Sequence, residues 1–319
     1  MRKFVIFVAV CVQLSCASAQ QCNVSGQKKV ATCRYVTMQN DIRRIVSGRK
    51  AVIGVAIYNC KNEESFCING CKRFPMQSVF KLPIVLKLLS KIDAGEESLS
   101  DSIFIKDSDL LPETWSPMRE KYVHGNVNVA LSDIIRYTIA QSDNNGCDIL
   151  LRHIGGPSVV NEYLRSIGIE QITIARNEAE QHTNFNSQYD NWATPMETVK
   201  LLKLLYEKRL LKENSHEFLW KTMCETSTGS VKDKIPQTVS VAHKTGSGFD
   251  PKVKLYVTND VGVMVLPDNT AALFAIYIMK SKENRSTNYE IIADIAKCVH
   301  RYLSCDEKGK MVSLNNQIK

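Results

Sequence analysis

The pattern of hydrophobic and polar positions predicts strands near both ends of the chain and helices in its middle. Buried strands are predicted where β-branched and aromatic residues dominate short apolar runs, at residues 51–59, 238–244, 252–258, 261–266 and 271–279. Another strand is expected near 65–74. Two groups of turn-forming residues, Asn259-Asp260 and Pro267-Asp268-Asn269, predict the turns between the later strands.

Helical spacing replaces this pattern in the middle of the chain. Helices are predicted at 35–47, 78–94, 131–140, 145–154, 158–166, 215–225 and 289–303. Thr194, Pro195 and Glu197 predict another helix start, with a capping box. Pro83 predicts an irregular or 3₁₀ first turn after residue 78, because proline in a helix interior loses a hydrogen bond. Residues 169–193 are polar and predict a long loop.

This order of elements predicts an α/β fold. Strands from both ends would form one antiparallel sheet of about five strands, flanked by the terminal helices, with helices inserted between them. We expect a sheet domain from 20–75 and 226–319, and a helical domain from 76–225. The active site would lie between the two domains.

The first nineteen residues have the layout of a signal peptide. Arg2 and Lys3 precede the apolar run at 4–12, and Ala17-Ser18-Ala19 fits a cleavage site before Gln20. A buried N-terminal strand is the alternative. The run is too short to span a bilayer, so we expect a periplasmic or secreted protein without stable membrane insertion. Cleavage would remove Arg2 and Lys3 and so lower the net charge from +8 to +6 (8 − 2 = 6).

Cysteines and charges exclude several classes of function. Nine cysteines follow residue 19, so at least one thiol is free or pairs between chains. Cys60, Cys67 and Cys71 could close a hairpin, whereas Cys298 and Cys305 continue a helical apolar stripe and are expected to pack. No zinc-ligand spacing occurs, and no cofactor is expected. The basic residues form no stripe with aromatic residues, so nucleic acid is not an expected partner.

Three short motifs could carry chemistry. Ser78 precedes Lys81 by three residues, which on a helix brings the amine near the hydroxyl. Ser142-Asp143-Asn144 follows a predicted helix, and Lys244-Thr245-Gly246 ends a predicted strand. Each motif alone also has an ordinary explanation. The serine–lysine pair can occur by chance, the Ser-Asp-Asn run can end a helix, and the Lys-Thr-Gly run can mark the change from a strand to a turn.

Together and in this order the motifs resemble the signature of class A β-lactamases and penicillin-binding proteins. The resemblance covers almost the whole chain after residue 19 and is closest to the PER- and VEB-like branch and related cephalosporinases. It is supported by TWSPM at 114–118, YDNWATP at 189–195, HKTGSG at 243–248 and NDVGVMVLPD at 259–268. Residues 174–193 resemble the family's omega loop. Glu178 fits the place of its water-activating glutamate.

The resemblance implies a role for each site residue. Ser78 would be the nucleophile, Lys81 and Glu178 would share removal of its proton, and Ser142 would protonate the leaving nitrogen. Backbone N–H groups of Ser78 and Ser247 would form the oxyanion hole. The residues expected to bind substrate are Asn144, Lys244, Thr245, Gly246, Ser247, Trp115 and Lys232. Gln77 is expected to orient the loop beside Ser78, and Asp143 to brace its own turn.

Two positions depart from the common class A pattern. His182 stands where an asparagine usually helps to hold the water, and Asn191 where an aspartate usually faces an arginine. Both changes imply an omega loop that is held differently. His182 could hold the water through a ring nitrogen or pack structurally.

The sequence therefore predicts a β-lactamase that hydrolyses small-molecule β-lactams, penicillins and cephalosporins, and that is expected to be monomeric. A penicillin-binding DD-peptidase and a non-hydrolytic β-lactam sensor are the alternatives. Glu178 argues against the first alternative, since that residue provides the deacylation step, and the complete set of reactive groups argues against the second.

Overall fold

The computed structural model of the chain describes residues 26–183 and 185–304. Side chains at 26–33, 182, 183 and 185 are outside this description, and so is the predicted signal segment 1–19. The two roles considered for the His182 ring therefore concern a side chain outside the described residues. So does the predicted packing of Cys305.

Ten strands and ten helices occur in the described residues. The strands are β1 Val52–Asn59, β2 Ser65–Ile68, β3 Phe74–Pro75, β4 Ser102–Ile105, β5 Val127–Ala130, β6 Ile172–Thr173, β7 Trp192–Ala193, β8 Ser240–Asp250, β9 Leu255–Val265 and β10 Ala271–Ser281. The helices are α1 Gly26–Val46, α2 Lys81–Ala94, α3 Pro117–Lys121, α4 Leu131–Ala140, α5 Asn144–His153, α6 Pro157–Ser166, α7 Glu178–Thr183, α8 Pro195–Tyr206, α9 Glu213–Cys224 and α10 Arg285–Leu303.

Strands from both ends of the chain build the main sheet, as predicted. It has five strands in the order β2-β1-β10-β9-β8, and each neighbouring pair is antiparallel. Because side chains alternate across a strand, β10 contributes to two cores. Phe274 and Ile276 face the core of α1 and α10, whereas Leu273 and Tyr277 face the core shared with α2 and α8. Burial on both faces explains why the strands read as continuous apolar runs.

The helical part of the chain is organised around α2. This helix packs against α4, α5, α6 and α9, and its apolar residues Leu82, Ile84 and Leu88 are fully buried. A 3₁₀ turn at Gln77–Phe80 precedes it, and Pro83 lies in its first turn, where helical N–H groups lack partners in any case. The prediction of an irregular first turn is confirmed. The division of the chain into two domains stays a prediction.

The predicted turn at Asn259-Asp260 is wrong. Both residues lie in the middle of β9, and the real turn falls between β8 and β9 at residues 251–254. Polar residues are tolerated inside this buried strand because each side chain has a hydrogen-bond partner from another segment of the chain. Asn259 donates to the carbonyls of residues 75 and 76, and Asp260 Oδ1 lies 2.8 Å from His243 Nδ1.

Two further expectations are corrected by side-chain contacts. Thr194 accepts a hydrogen bond from the Glu197 amide and caps α8, but the Glu197 carboxylate accepts from the Glu170 amide instead of completing the capping box. Cys60 and Cys71 carry free thiols, so no disulfide between them closes the hairpin. Cys298 packs against the core of α1 and α10, as predicted.

No helix among the described residues is long and apolar enough to cross a membrane.

Candidate active site

Ser78 lies in the 3₁₀ turn that leads into α2. The turn begins with Gln77 at a φ of 48°, a left-handed conformation that is costly for a residue other than glycine. Ser142, on the opposite side of the site, also has a positive φ of 58°. Two strained residues therefore flank the same cleft, where the surrounding packing holds the backbone in place.

The Lys81 ammonium is the centre of the site. Its Nζ lies 3.0 Å from Ser78 Oγ, 2.8 Å from Glu178 Oε1 and 2.6 Å from Asn144 Oδ1. It also donates to the Ser142 carbonyl at 2.8 Å. Lys81 is fully buried, and a buried ammonium needs this many oxygen partners to offset the loss of water. These contacts join the first two sequence motifs and Glu178 through one cation.

Glu178 is the first residue of α7 in the omega loop. Its Oε1 lies 3.3 Å from Ser78 Oγ. Asn191 closes the neck of the loop: its Oδ1 accepts from the Ala175 and Arg176 amides, both at 2.8 Å, and its Nδ2 donates to the Arg176 carbonyl. The Arg176 guanidinium pairs with Asp190 at 3.1 Å. In the common class A pattern this position is an aspartate that faces an arginine. Here it is Asn191, whose side-chain amide bonds to backbone groups.

Ser142 and Lys244 meet across the cleft. Lys244 Nζ donates to Ser142 Oγ and to the Thr245 carbonyl, both at 2.9 Å. Burial lowers the pKa of Lys244 well below that of a free lysine, and the nearby Lys81 ammonium lowers it further. The pKa of Lys244 is raised, to a smaller extent, by the nearby Glu178, Asp260 and Cys147. The Ser142 hydroxyl therefore lies between the side-chain nitrogens of Lys244, at 2.9 Å, and Lys81, at 3.5 Å, either of which can donate a proton when it is charged.

Asn144 and Trp115 form one side of the cleft. Asn144 Nδ2 donates to Thr114 Oγ1 at 2.7 Å, and the Trp115 indole donates to the Gln141 carbonyl at 2.8 Å. Trp115 is 58% exposed, so its ring faces solvent at the entrance. Asp143 braces its own turn, as predicted, since it accepts from the amides of Gly146 and Met118.

Strand β8 lies against the Ser78 turn because it carries a glycine there. A Cβ at Gly246 would come within 2.6 Å of the Met76 carbonyl oxygen and 3.1 Å of the Ser78 amide nitrogen. Asn259, opposite Gly246 in the register, donates to the carbonyls of Pro75 and Met76 at 2.9 and 3.0 Å. One close contact and two hydrogen bonds thus fix the nucleophile's turn against the sheet.

These residues surround a cavity of about 640 Å³. Among the sequence-predicted residues, those lining it are Ser78, Trp115, Ser142, Asn144, Thr245, Gly246 and Ser247. Lys81, Glu178 and Lys244 lie directly behind this lining, within hydrogen-bonding distance of the two serines. The volume suits a small molecule.

Comparison with known proteins agrees with this geometry. Residues 37–303 match the Beta-lactamase enzyme family. The chain is 42% identical to β-lactamase VEB-1 of Pseudomonas aeruginosa over 281 residues, which cover 85% of this chain and 93% of that protein. It is 35% identical to the extended-spectrum β-lactamase PER-1 of the same organism over 267 residues, 83% of this chain and 87% of that protein.

Solved structures agree as well. The TLA-3 extended-spectrum β-lactamase superposes with a TM-score of 0.82 at 40% identity, covering 84% of this chain and 98% of that one. A class A β-lactamase from Bacteroides cellulosilyticus superposes with a TM-score of 0.80 at 36% identity, covering 85% and 98%. The chain belongs to the β-lactamase enzyme family. It is a class A member, a hydrolase of the β-lactam amide, and the resemblance seen in its sequence is confirmed.

One predicted substrate-binding residue of this β-lactamase is placed elsewhere. Lys232 is exposed, its Nζ donates to the carbonyls of Cys224 and Thr226 at 2.9 and 3.1 Å, and it does not line the cavity. Although the residue as a whole is exposed, partial burial of its ammonium beside these carbonyls lowers the pKa of Lys232. The structure therefore does not bring this lysine to the substrate site. Arg285, at the start of α10, lines the cavity instead.

Several residues of the β-lactamase site were not identified from the sequence. Arg285 and Tyr289 line the far end of the cavity, and no local pattern in the chain marks them. The Thr228 hydroxyl lies 2.6 Å from the Thr245 hydroxyl. Thr228 belongs to a polar segment that contains no distinctive motif. Asp148 contacts the omega loop, and its position one helical turn after Asn144 is a signal that could have identified it.

Proposed function

We propose that this enzyme hydrolyses penicillins and cephalosporins through a covalent ester on Ser78, and that the ester is hydrolysed by a water activated by Glu178. The observation that carries the proposal is the position of Lys81 Nζ, 3.0 Å from Ser78 Oγ and 2.8 Å from Glu178 Oε1. A nucleophile within reach of two groups that can exchange its proton is the arrangement that acyl transfer needs.

In the acylation step, Ser78 Oγ attacks the β-lactam carbonyl carbon and its proton passes to the Lys81–Glu178 pair. Backbone N–H groups of Ser78 and Ser247 bind the oxyanion as it forms. The ring C–N bond then breaks, and Ser142 gives its proton to the leaving nitrogen. Lys81, 3.5 Å from Ser142 Oγ, passes the proton taken from Ser78 to Ser142, which leaves Glu178 ionised for the next step, and Lys244, 2.9 Å from the same oxygen, orients the hydroxyl.

In the deacylation step, Glu178 takes a proton from a water molecule, which attacks the ester carbonyl. The ester C–O bond breaks, the proton returns to Ser78 Oγ, and the ring-opened acid leaves. General base catalysis of this kind is what separates a hydrolase from a protein that stays acylated. Glu178 lies close enough to Ser78, at 3.3 Å, for one water to reach both the base and the ester.

Substrate is held by groups at opposite ends of the cavity. Thr245, Ser247 and Lys244 bind the ring carboxylate through charge-assisted hydrogen bonds, and the Arg285 guanidinium adds a second cation there. Asn144 bonds the amide of the acyl side chain, and Trp115 offers an aromatic face at the entrance. Lys232 takes no part in binding substrate, because its ammonium is bonded to backbone carbonyls.

The relatives inform the proposed substrate range and location. PER-1 and TLA-3 are both named as extended-spectrum enzymes, which supports cephalosporins as well as penicillins among the substrates. We propose that residues 1–19 direct the chain to the periplasm or the medium and are removed near Ala19-Gln20. There a monomeric enzyme would destroy β-lactams and confer resistance.

The test is hydrolysis of a chromogenic cephalosporin by residues 20–319. We expect repeated turnover, none with Ser78→Ala, and a long-lived adduct detectable by mass spectrometry with Glu178→Ala. A single stoichiometric burst from the unmodified enzyme would refute the proposal and favour a penicillin-binding peptidase or a sensor. A folded Glu178→Ala variant that never accumulates an adduct would refute the role of Glu178.

A further inference from the structure

A buried histidine–aspartate pair lies behind the Lys-Thr-Gly motif and has no part in the proposed mechanism. His243 directly precedes Lys244 in β8, and Asp260 stands opposite Thr245 in the register of β8 and β9. His243 Nδ1 lies 2.8 Å from Asp260 Oδ1, and the two side chains are 1% and 0% exposed. Because side chains alternate across a strand, the pair lies on one face of the sheet and the Lys244 side chain on the other.

The outer atom of each of the two side chains has no hydrogen-bond partner among the described residues. These atoms are Asp260 Oδ2 and His243 Nε2, and both are buried. A covering segment, residues 226–232, lies over them. Its Gly229 has a φ of 87°, and a Cβ there would come within 2.8 Å of Asp260 Oδ2 and 2.5 Å of Thr245 Cγ2. Buried carboxylate oxygens normally have donors, so the cost of this one must be offset elsewhere.

The unpartnered nitrogen indicates the protonation state of the histidine. A neutral ring with its proton on Nδ1 donates to Asp260 Oδ1 and leaves Nε2 as an unpaired acceptor. A ring protonated on both nitrogens would bury an unpaired Nε2–H donor, and an unpaired polar group costs more when it is charged. His243 therefore orients the carboxylate without neutralising it. The negative charge of Asp260 stays available to other groups.

The buried lysine of β8 needs such a charge. Burial lowers the pKa of Lys244, and the neighbouring Lys81 ammonium lowers it further. The carboxylates that raise the pKa of Lys244 are those of Glu178 and Asp260. Glu178 Oε1 lies 2.8 Å from Lys81 Nζ, so it mainly compensates that ammonium. Asp260 is the other negative charge, and because both it and Lys244 are buried, salt and water screen its effect only weakly.

We propose that Asp260 is the buried counter-charge that keeps Lys244 protonated and so able to bind the carboxylate of a β-lactam. The inference rests on the proposed function, in which Lys244 holds that carboxylate. Asp260 touches neither the substrate nor the reacting atoms, so it is a positioning residue that acts through Lys244. This effect offsets the cost of its unpaired oxygen.

The charge of Asp260 should be visible in the pH dependence of substrate binding. The other charged or titratable groups that act on Lys244 are Lys81 from α2, Cys147 from α5 and Glu178 from α7. Asp260 itself faces His243 from β8 and Lys232 from the covering segment. Loss of the negative charge would lower the pKa of Lys244 further, because the ammonium form would lose a favourable neighbour. Since a neutral amine binds an anion poorly, KM for an anionic β-lactam should then begin to rise at a lower pH.

The experiment compares Asp260→Asn with the unmodified enzyme and with Asp268→Asn. Asparagine has nearly the same shape as aspartate and retains an acceptor oxygen for His243 Nδ1, so the first variant removes mainly the charge. Asp268 is the matched control, because it lies exposed in the turn after β9, where it accepts from the Thr270 amide. KM and kcat for benzylpenicillin are measured for each folded enzyme from about pH 6 to about pH 10.

For Asp260→Asn we expect the midpoint of the rise in KM to move down by about one pH unit. Between the two midpoints its KM should be up to about tenfold higher than that of the unmodified enzyme. At about pH 6, where Lys244 is charged in both, KM and kcat should agree within about threefold. Asp268→Asn should follow the unmodified enzyme throughout.

The outcomes distinguish this inference from the proposed function. Equal midpoints for Asp260→Asn and the unmodified enzyme, with turnover intact, would refute the role of Asp260 and leave the proposed hydrolysis standing. A KM raised by the same factor at every pH would show structural damage instead of a lost charge, and would also refute it. Absence of turnover by the unmodified enzyme would overturn the proposed function itself.

His243 provides a test that does not require Asp260→Asn to fold. In the unmodified enzyme, the imidazole nitrogen resonances of His243 should show a neutral ring with its proton on Nδ1 at about pH 7. A ring protonated on both nitrogens at this pH would neutralise Asp260 and overturn the inference.

Discussion

Replacing Gly246 by alanine should damage catalysis more than it damages the fold. The added Cβ would lie 2.6 Å from the Met76 carbonyl oxygen and 3.1 Å from the Ser78 amide nitrogen. Both are backbone atoms, so neither can swing aside. To reach even a 3.0 Å contact, β8 or the Ser78 turn must move by about 0.4 Å, and an ordinary contact requires about 0.8 Å.

A displacement of this size would move the Ser78 turn, and with it the nucleophile, relative to the rest of the active site. Misplacing a reacting group by about 1 Å can cost about 10²-fold in rate, so we expect kcat/KM to fall by a factor between about 10 and 10². That loss corresponds to about 1.4 to 2.7 kcal/mol of transition-state stabilisation. The strand should still pair with β9, because its partners in the register are unchanged. Thermal unfolding should therefore show a folded protein that has lost about 1 to 3 kcal/mol.

Gly248→Ala is the matched control for this variant. It makes the same substitution in the same strand, two residues further on, but its Cβ would meet only the end of the Gln77 side chain, at 2.8 Å. A flexible amide can move, so kcat/KM should fall less than about fivefold. The assay is steady-state hydrolysis of a chromogenic cephalosporin by each folded variant. Equal activity of Gly246→Ala and the unmodified enzyme would refute the reasoning.

Three other predictions concern the same cleft. Asn259→Ala leaves two buried carbonyls without their donor and should lower the free energy of unfolding by about 2 to 4 kcal/mol; a denaturant titration that shows less than about 1 kcal/mol would contradict this. Because burial lowers the pKa of Lys244, its ammonium should lose its proton at a lower pH than a free lysine, and KM for an anionic β-lactam should rise with pH before about 10; a constant KM would argue otherwise. Arg285→Ala should raise KM about tenfold with little change in kcat, whereas Lys282→Ala, an exposed cation nearby that does not line the cavity, should change neither. Equal KM values for these two variants would remove Arg285 from the substrate site.

Local patterns in the sequence predicted most of the fold. Helix α4 begins and ends where its apolar spacing predicts, and the strands from both ends pair into the expected five-stranded sheet. These features are local: the apolar period, a cap at Thr194 and a proline at the first helical position are read within a few residues. The prediction failed at Asn259-Asp260, because two polar residues look like a turn unless their distant partners are known. Those partners, at residues 75, 76 and 243, exist only in the folded chain.

The three sequence motifs and Glu178 indicated which residues to examine, because their chemistry and order resemble a known family. Their positions relative to one another came only from the fold. Lys81 contacts an oxygen of Glu178, 97 residues further along the chain (178 − 81 = 97), and no local pattern encodes such a contact.

What the sequence by itself determined is most of the long helices and strands and the nucleophilic chemistry, since apolar periodicity and motif spacing are local properties. What only the tertiary structure decided is how the site is supported. In the folded chain Arg285, from the last helix, lines the cavity, whereas the Lys232 ammonium donates to backbone carbonyls. It also places the Asp148 carboxylate on the amides of Glu178 and Ala179. The physical reason is that hydrogen bonds and burial depend on which segments meet in space, and that depends on the packing of the whole chain.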